Sequence, residues 1–293
     1  MQRVLAVDIG GTKVEVGVVD VEDGVVERRR AASTGAADGE ALFRRVTELI
    51  DEVMATGAAD HTPVCGVGCG GPMRPGGEGV SPLNIAVWRD FPLRQRLAEH
   101  TGLPVFVDND AKALALAEAW KGRARGVDNF VGMVVSTGVG GGIVLDGRLL
   151  DGEAGNAGHI GHILVEPNGT QTPGHIRGVL EAEASGTAIA HRTGRPAADA
   201  NDEERTRAAT MVGRAVGSVA NLLDLRLAVV AGSVALGYGD DFFRVAQAEI
   251  DRIATLQHSV GTVIVPAALG ADGPLIGAAA VGLRGFGHDV GVR

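Results

Sequence analysis

Asp8-Ile9-Gly10-Gly11-Thr12-Lys13 is the first stretch of the chain whose residue types could do chemistry. Two adjacent glycines let a backbone approach a phosphate closely, and Thr12 adds a hydroxyl donor. Lys13 adds a cation, and Asp8 could hold Mg2+, because hard cations take carboxylate oxygens. A plain hairpin turn would use the same residues. Ser136-Thr137-Gly138-Val139-Gly140-Gly141-Gly142 is a second polar turn, and its four glycines in five positions exceed what a hairpin requires. Its amide N–H groups could cradle phosphates. Asp108-Asn109-Asp110 stands where a strand meets a helix. There Asp110 caps or opens the helix, and the macrodipole keeps it ionised. An ionised Asp can take a hydroxyl proton while that oxygen attacks phosphorus. Simple capping explains the same residue.

Other groups carry weaker chemistry. His159, His162, Glu166, His175 and Glu181 gather in one glycine-rich stretch. No Cys or third His completes a familiar zinc set around them, so the histidines read as loop residues on the surface or hydrogen-bonded to sugar or backbone. Gly66, Gly68 and Gly71 match G-x-G-x-x-G, but Pro72 and Pro75 stand where a dinucleotide-binding helix would begin. That reading is rejected, and no G-x4-G-K-[ST] loop exists.

The elements that must position these residues follow from apolar spacing. Strands are predicted over 3–8, 13–20, 63–68, 104–107, 130–135, 143–146, 226–231 and 262–265. Helices are predicted over 40–55, 93–100, 110–120, 203–224, 241–256 and 273–284, with 151–180 an irregular loop. This alternation predicts an α/β fold. The pattern of strand, polar glycine turn and strand occurs near residue 4 and again near residue 130. It predicts one unit used twice, as two lobes with both turns at the cleft between them.

Composition narrows the classes. With 293 residues, 45% hydrophobic and 22% charged, the chain is globular. Its 27 basic against 36 acidic side chains give a net charge of −9, unsuited to nucleic acid or an anionic membrane surface. A small anion can still bind to backbone amides. Cys65 and Cys69 are the two cysteines. They form no disulfide framework and lack the ligands for zinc, so a reducing cytoplasm is expected. No apolar run of about 18 residues exists to span a membrane. The strand from residue 3 leaves no expected leader segment.

Together, the DIGGTK turn, the VDNDAKALALAE segment, the STGVGGGIVLDG turn and the GNAGHIGHILVEPNG…LEAEASG stretch resemble the ROK family of sugar kinases and repressors. The resemblance spans essentially the whole chain. It implies a two-lobed actin-like, ribonuclease-H-like (ASKHA) α/β fold with the active site in the interdomain cleft. It implies lobes of 1–118, completed by 277–293, and 119–276, and a homodimer. ATP and Mg2+ are the implied cofactors, with sugar in the cleft. Asp110 matches the family's catalytic base and Asn109 a sugar-hydroxyl contact. Asn84, before Trp88, and His162 and Glu181 match sugar-pocket positions. Asp8, Gly10, Gly11, Thr12, Lys13, Thr137 and Gly138 match the phosphate loops, and Gly232 and Ser233 the nucleotide-side glycine loop.

Two departures stand out. The family's C-x-C-G-x2-G-C zinc site falls on Thr172, Gly174 and Val179, so no structural zinc is expected. The family's G-E-x-G-H reads Gly158-His159-Ile160-Gly161-His162, with His159 in place of a sugar-binding carboxylate. A neutral imidazole offers one donor and one acceptor, whereas a carboxylate only accepts. The implied function is ATP-dependent phosphorylation of a hexose, glucose at the 6-OH, with Asp110 as general base. The alternative is an amino-sugar kinase acting on N-acetylmannosamine, glucosamine or kanosamine. The remote alternative is a sugar-binding regulator without kinase activity. A DNA-binding repressor is disfavoured by the charge and by the strand at residue 3. The preferred hexose, and ATP against polyphosphate as donor, stay open at this point.

Overall fold

Short β-branched runs and periodic apolar helices fold here into two α/β units. The computed structural model describes residues 3–172 and 176–293. His175, and Gly174 of the expected zinc alignment, lie outside the described residues. In chain order the elements are β1 Arg3–Ile9, β2 Lys13–Asp20, β3 Gly24–Ala32, α1 Gly39–Met54, β4 Cys65–Cys69, α2 Leu93–Thr101, β5 Val105–Asn109 and α3 Asp110–Lys121. They continue with β6 Phe130–Val135, β7 Val139–Leu145, β8 Arg148–Leu149, α4 Leu180–Ala184, α5 Gly186–Thr193 and α6 Asp202–Leu223. The last are β9 Leu227–Ala231, α7 Ser233–Gly237, α8 Gly239–Ile253, β10 Val263–Pro266 and α9 Gly273–Gly285.

Unit 1 holds Met1–Gly122, Asp151–Ala157 and Leu269–Arg293. Unit 2 holds Arg123–Leu150 and Gly158–Ala268. Among the described residues the sheet of unit 1 runs β3-β2-β1-β4-β5 and that of unit 2 β10-β9-β6-β7-β8. In each, three antiparallel strands are followed by two that add in parallel. The two orders are the same once the second set is renumbered, so one topology is used twice.

In unit 1, Leu5, Val7 and Ile9 point into a core with Leu42, Val46, Ile50, Leu93 and Leu97. The alternate residues of β1 and β4 face the other way, where Gly66 meets α9. Asp38 caps α1 by accepting from the Ala41 N–H, at 2.7 Å. In unit 2, Val131, Met133 and Val135 of β6 pack against α6 and α8. The 22-residue α6 starts at Asn201, which accepts from the Glu204 N–H, and carries three acidic residues in its first turn. No described helix is long and apolar enough to cross a membrane.

Three features differ from the periodicity. β3 is a strand that apolar alternation does not show. It is an edge strand of half-exposed charged residues, and Arg30 pairs with buried Glu15 of β2 at 2.7 Å. β7 starts at Val139 rather than 143, so the glycine turn shrinks to 136–138. Gly140–Gly142 are strand residues, and a Cβ on Gly141 would come 3.1 Å from the Gly158 carbonyl and 3.0 Å from Ile160. That close approach requires glycine at 141. Finally, 151–157 packs with unit 1, because Lys112 binds Asp151 and the Asn156 amide pairs with both backbone groups of Met73.

The Gly66 contact can be tested. A Cβ there would collide with the Ala278 carbonyl and sit 2.6 Å from the Gly282 N. Gly66→Ala is expected to cost at least about 3 kcal/mol or to prevent folding. Denaturant unfolding against the parent chain checks this, and a loss under about 1 kcal/mol would contradict it.

Candidate active site

The candidate residues divide cleanly by unit. Asp8, Gly10, Gly11, Thr12, Lys13, Asn84, Asn109 and Asp110 lie in unit 1. Thr137, Gly138, His159, His162, Glu181, Gly232 and Ser233 lie in unit 2.

In unit 1 the sheet register does the positioning. Asp8 of β1 stands opposite Gly68 of β4, and Gly68 opposite Asp108 of β5. Gly68 has no side chain, and a Cβ there would already touch the Asp8 Oδ1 at 3.4 Å and the Asp110 Cα at 3.7 Å. The Asp8 carboxyl and the backbone of Asp110 therefore border the same glycine, near enough for the Asp110 charge to act on Asp8. Asn109 caps α3, its side chain accepting from the Ala111 N–H at 3.0 Å. Asp110 Oδ1 accepts from the same N–H at 2.9 Å. That places Asp110 at the positive end of α3, which favours its ionised form.

Asp8 is 8% exposed. Burial, and next the negative charge of Asp110, push its carboxyl up to about 7, with Lys13 opposing. The Gly10 N–H donates to the Lys13 carbonyl at 2.9 Å, closing the turn through Gly11 and Thr12. Lys13 is not a lone cation: its Nζ lies 2.6 Å from the buried Glu15 carboxylate. Asn84 packs directly on the turn, for a Cβ on Gly11 would sit 2.8 Å from the Asn84 Cβ.

In unit 2 the short turn at 136–138 closes with Ser136 N–H donating to the Gly138 carbonyl at 2.9 Å. Ser136 Oγ and Ser233 Oγ are hydrogen-bonded at 2.9 Å, so this turn and the Gly232–Ser233 loop meet. Gly232 has φ +104°, and a Cβ there would sit 2.6 Å from the Val135 carbonyl carbon, so only glycine fits. Thr187 Oγ1 donates to the Thr137 carbonyl at 2.9 Å. Ser136, Gly186 and Thr187 thus brace the turn, roles that sequence spacing does not signal. Glu181, 6% exposed, accepts from the Val139 N–H at 2.6 Å, which fixes one of its oxygens. His159 and His162 face edge-on at 6.0 Å. Burial, and then the neighbouring His162, lower the His159 pKa below its ordinary 6.5, with Glu181 opposing, so its ring is neutral at physiological pH.

The expected Mg2+ position fits its donor. Asp8 is a buried carboxylate under the influence of the Asp110 charge, and a divalent cation would favour its ionised form. Among the described residues no group of three His, Cys, Asp or Glu gathers to hold a metal. Buried Glu183 accepts from Thr170 and Arg207.

The sequence model of the ROK family matches residues 4–284. The chain belongs to the ROK family. It is 40% identical to a glucokinase of Thermotoga maritima over 189 residues, 64% of this chain and 58% of that protein. It is 35% identical to an N-acetylmannosamine kinase of Pasteurella multocida, over 81% of this chain and 83% of that protein. A ROK family glucokinase from Streptomyces griseus, solved with glucose and AMPPNP, superposes with a TM-score of 0.80 at 27% identity. That match covers 96% of this chain and 99% of the other. The ROK chain thus has the fold of solved sugar kinases along nearly its full length.

Asp8 gives a prediction with a definite sign. Folded Asp8 keeps a proton between its ordinary 3.8 and about 7, where the unfolded carboxyl has lost it. The folded state binds more protons there, so stability falls as pH rises through that window. Asp8→Asn removes the titration. In metal-free buffer it is expected to gain roughly 2–4 kcal/mol over the parent near pH 8 and little near pH 4. Urea unfolding at both pH values checks this, and a gain independent of pH would contradict it.

Proposed function

We propose that this ROK-family sugar kinase transfers the γ-phosphoryl group of ATP to a hexose hydroxyl, the 6-OH of glucose first. The placement of the Asp8 carboxyl close to Asp110 at Gly68 carries this reading. One carboxylate takes a proton and the other attracts a cation. Asp110 is the general base, accepting the proton as the sugar oxygen attacks phosphorus. Asp8 would hold Mg2+, which supplies positive charge to the transferring phosphate. Gly11 and Thr12 in unit 1, and Thr137, Gly138, Gly232 and Ser233 in unit 2, offer amide and hydroxyl donors to phosphate oxygens, while Gly10, whose N–H closes the turn, lets the backbone approach closely. Lys13 adds charge from its tether on Glu15. Asn84 and Asn109 bind sugar hydroxyls in unit 1, and His159, His162 and Glu181 do so in unit 2.

The second reading is an N-acetylated amino sugar as acceptor. The neutral imidazole of His159 supports it, since it can donate to an acetamido carbonyl as a carboxylate cannot. So does the N-acetylmannosamine kinase relative. A charged amine would find no carboxylate at residue 159, which ranks glucosamine and kanosamine lower. Cys65 and Cys69 are free thiols, consistent with a reducing cytoplasm. The family resemblance suggests a homodimer.

The test is ADP release with Mg-ATP against glucose, mannose, N-acetylmannosamine, glucosamine and kanosamine. One sugar is expected to support turnover. Asp110→Asn is expected to lower kcat about 10³-fold, within the span of general-base losses, while KM for that sugar moves less than about fivefold. Sugar binding without turnover on any of them would instead favour a regulator without kinase activity.

A further inference from the structure

Helix α3 carries a buried cation two residues after Asp110. Lys112 is 1% exposed, among the most enclosed large side chains of the chain. Its Nζ lies 2.9 Å from Asp108 Oδ1, 2.6 Å from Asp151 Oδ1 and 3.3 Å from the Gly155 carbonyl. An ammonium has three donors, and here three acceptors take them. Asp108 Oδ1 also accepts from the Asn109 N–H at 2.8 Å. The cation therefore stands, through one carboxylate oxygen, next to the backbone that enters Asn109 and Asp110. Burial pushes the Asp108 carboxyl up, and the Lys112 charge pulls it back toward the ionised form that accepts this hydrogen bond. The other two contacts hold Asp151 and Gly155, in the 151–157 segment that apolar spacing does not assign to unit 1. A neutral α3 residue could not draw together two carboxylates from separate parts of the chain.

We propose that Lys112 is a positioning residue, an ammonium hub that fixes the β5–α3 junction and so the direction in which Asp110 points. The role rests on the kinase reading of Asp110. Lys112 acts through Asp108 and touches no reacting atom. Misplacing a reacting group by about 1 Å can cost roughly 100-fold in rate without changing its chemistry. Lys112 also lines a cavity of about 920 Å3 within unit 1, together with Arg74, Arg94, Arg284 and His288. That cavity gives a small amine a route to the place of a deleted Lys112 side chain.

The experiment uses the full chain with Lys112→Ala. The expected result is a kcat about 10- to 100-fold below the parent, with KM for Mg-ATP changed less than about threefold. Added ethylammonium is expected to raise kcat at least about fivefold, while tetramethylammonium at equal ionic strength does not. A variant that fails to fold is covered by Asp151→Asn/Lys112→Met, which removes the cation and its other carboxylate while leaving Asp108, the acceptor of the Asn109 N–H, in place. Its Tm is expected to recover while hydrogen exchange at the Asn109 and Ala111 amides stays at least about tenfold faster than in the parent. A parental kcat in Lys112→Ala, or parental exchange at Asn109 in the double variant, overturns the proposal. If the parent chain turns over no sugar, the kinase reading fails instead, and the exchange measurement alone decides whether Lys112 orders the junction.

Discussion

The burial of the Asp8 carboxyl close to Asp110 is the constraint that the neighbouring elements of unit 1 must hold in place. Burial alone would raise the Asp8 carboxyl, and the second negative charge raises it further, to about 7. A fold that places these groups together gives up stability to do so. It then needs rigid supports to keep them there. The parallel register of β1, β4 and β5 is one support, since it aligns Asp8, Gly68 and Asp108 in a row across three strands. The positive end of α3 is another, for it meets Asp110 with partial positive charge. Lys112, buried beneath that first turn, joins Asp108 to the segment that returns through Asp151.

Glycine does three separate jobs in this chain. At Gly68 a missing side chain leaves room beside Asp8 and Asp110. At Gly66 and Gly282 two backbones approach so closely that α9 can lie on the sheet. At Gly232 a left-handed φ aims a loop that no side-chain-bearing residue could form. Gly141 belongs with the second job, as a strand residue that passes close to Gly158 and Ile160.

Much of the fold is legible in the sequence because its signals are local. Leu42, Val46, Leu49 and Val53 mark α1 to within one residue at each end. Asp110 is readable at the strand–helix junction because capping chemistry and the macrodipole are properties of a few adjacent residues. The doubled topology shows through the two strand–turn–strand patterns. What is not legible is set by distant partners. β3 hides because Arg28 and Arg30 are held by Glu15 and Asp272, and Arg29 by Glu27 and Glu52, not by an apolar face. The place of 151–157 depends on Asn156 finding Met73 and Asp151 finding Lys112. Lys112 itself reads as an ordinary exposed helix lysine until its two carboxylates are brought to it. Within the candidate site, Asp8, Asn109 and Asp110 are readable, whereas the Ser136–Ser233 contact joins loops 97 residues apart.

The most direct test of the central claim is 31P NMR of the chain with Mg-ATP and the sugar that it turns over. A phosphate monoester on a primary sugar hydroxyl is expected, formed one-to-one with ADP and without accumulation of inorganic phosphate. ADP appearing with inorganic phosphate and no sugar ester would contradict it. Water rather than a hexose would then be the acceptor, and Asp110 would not be a base for sugar phosphorylation.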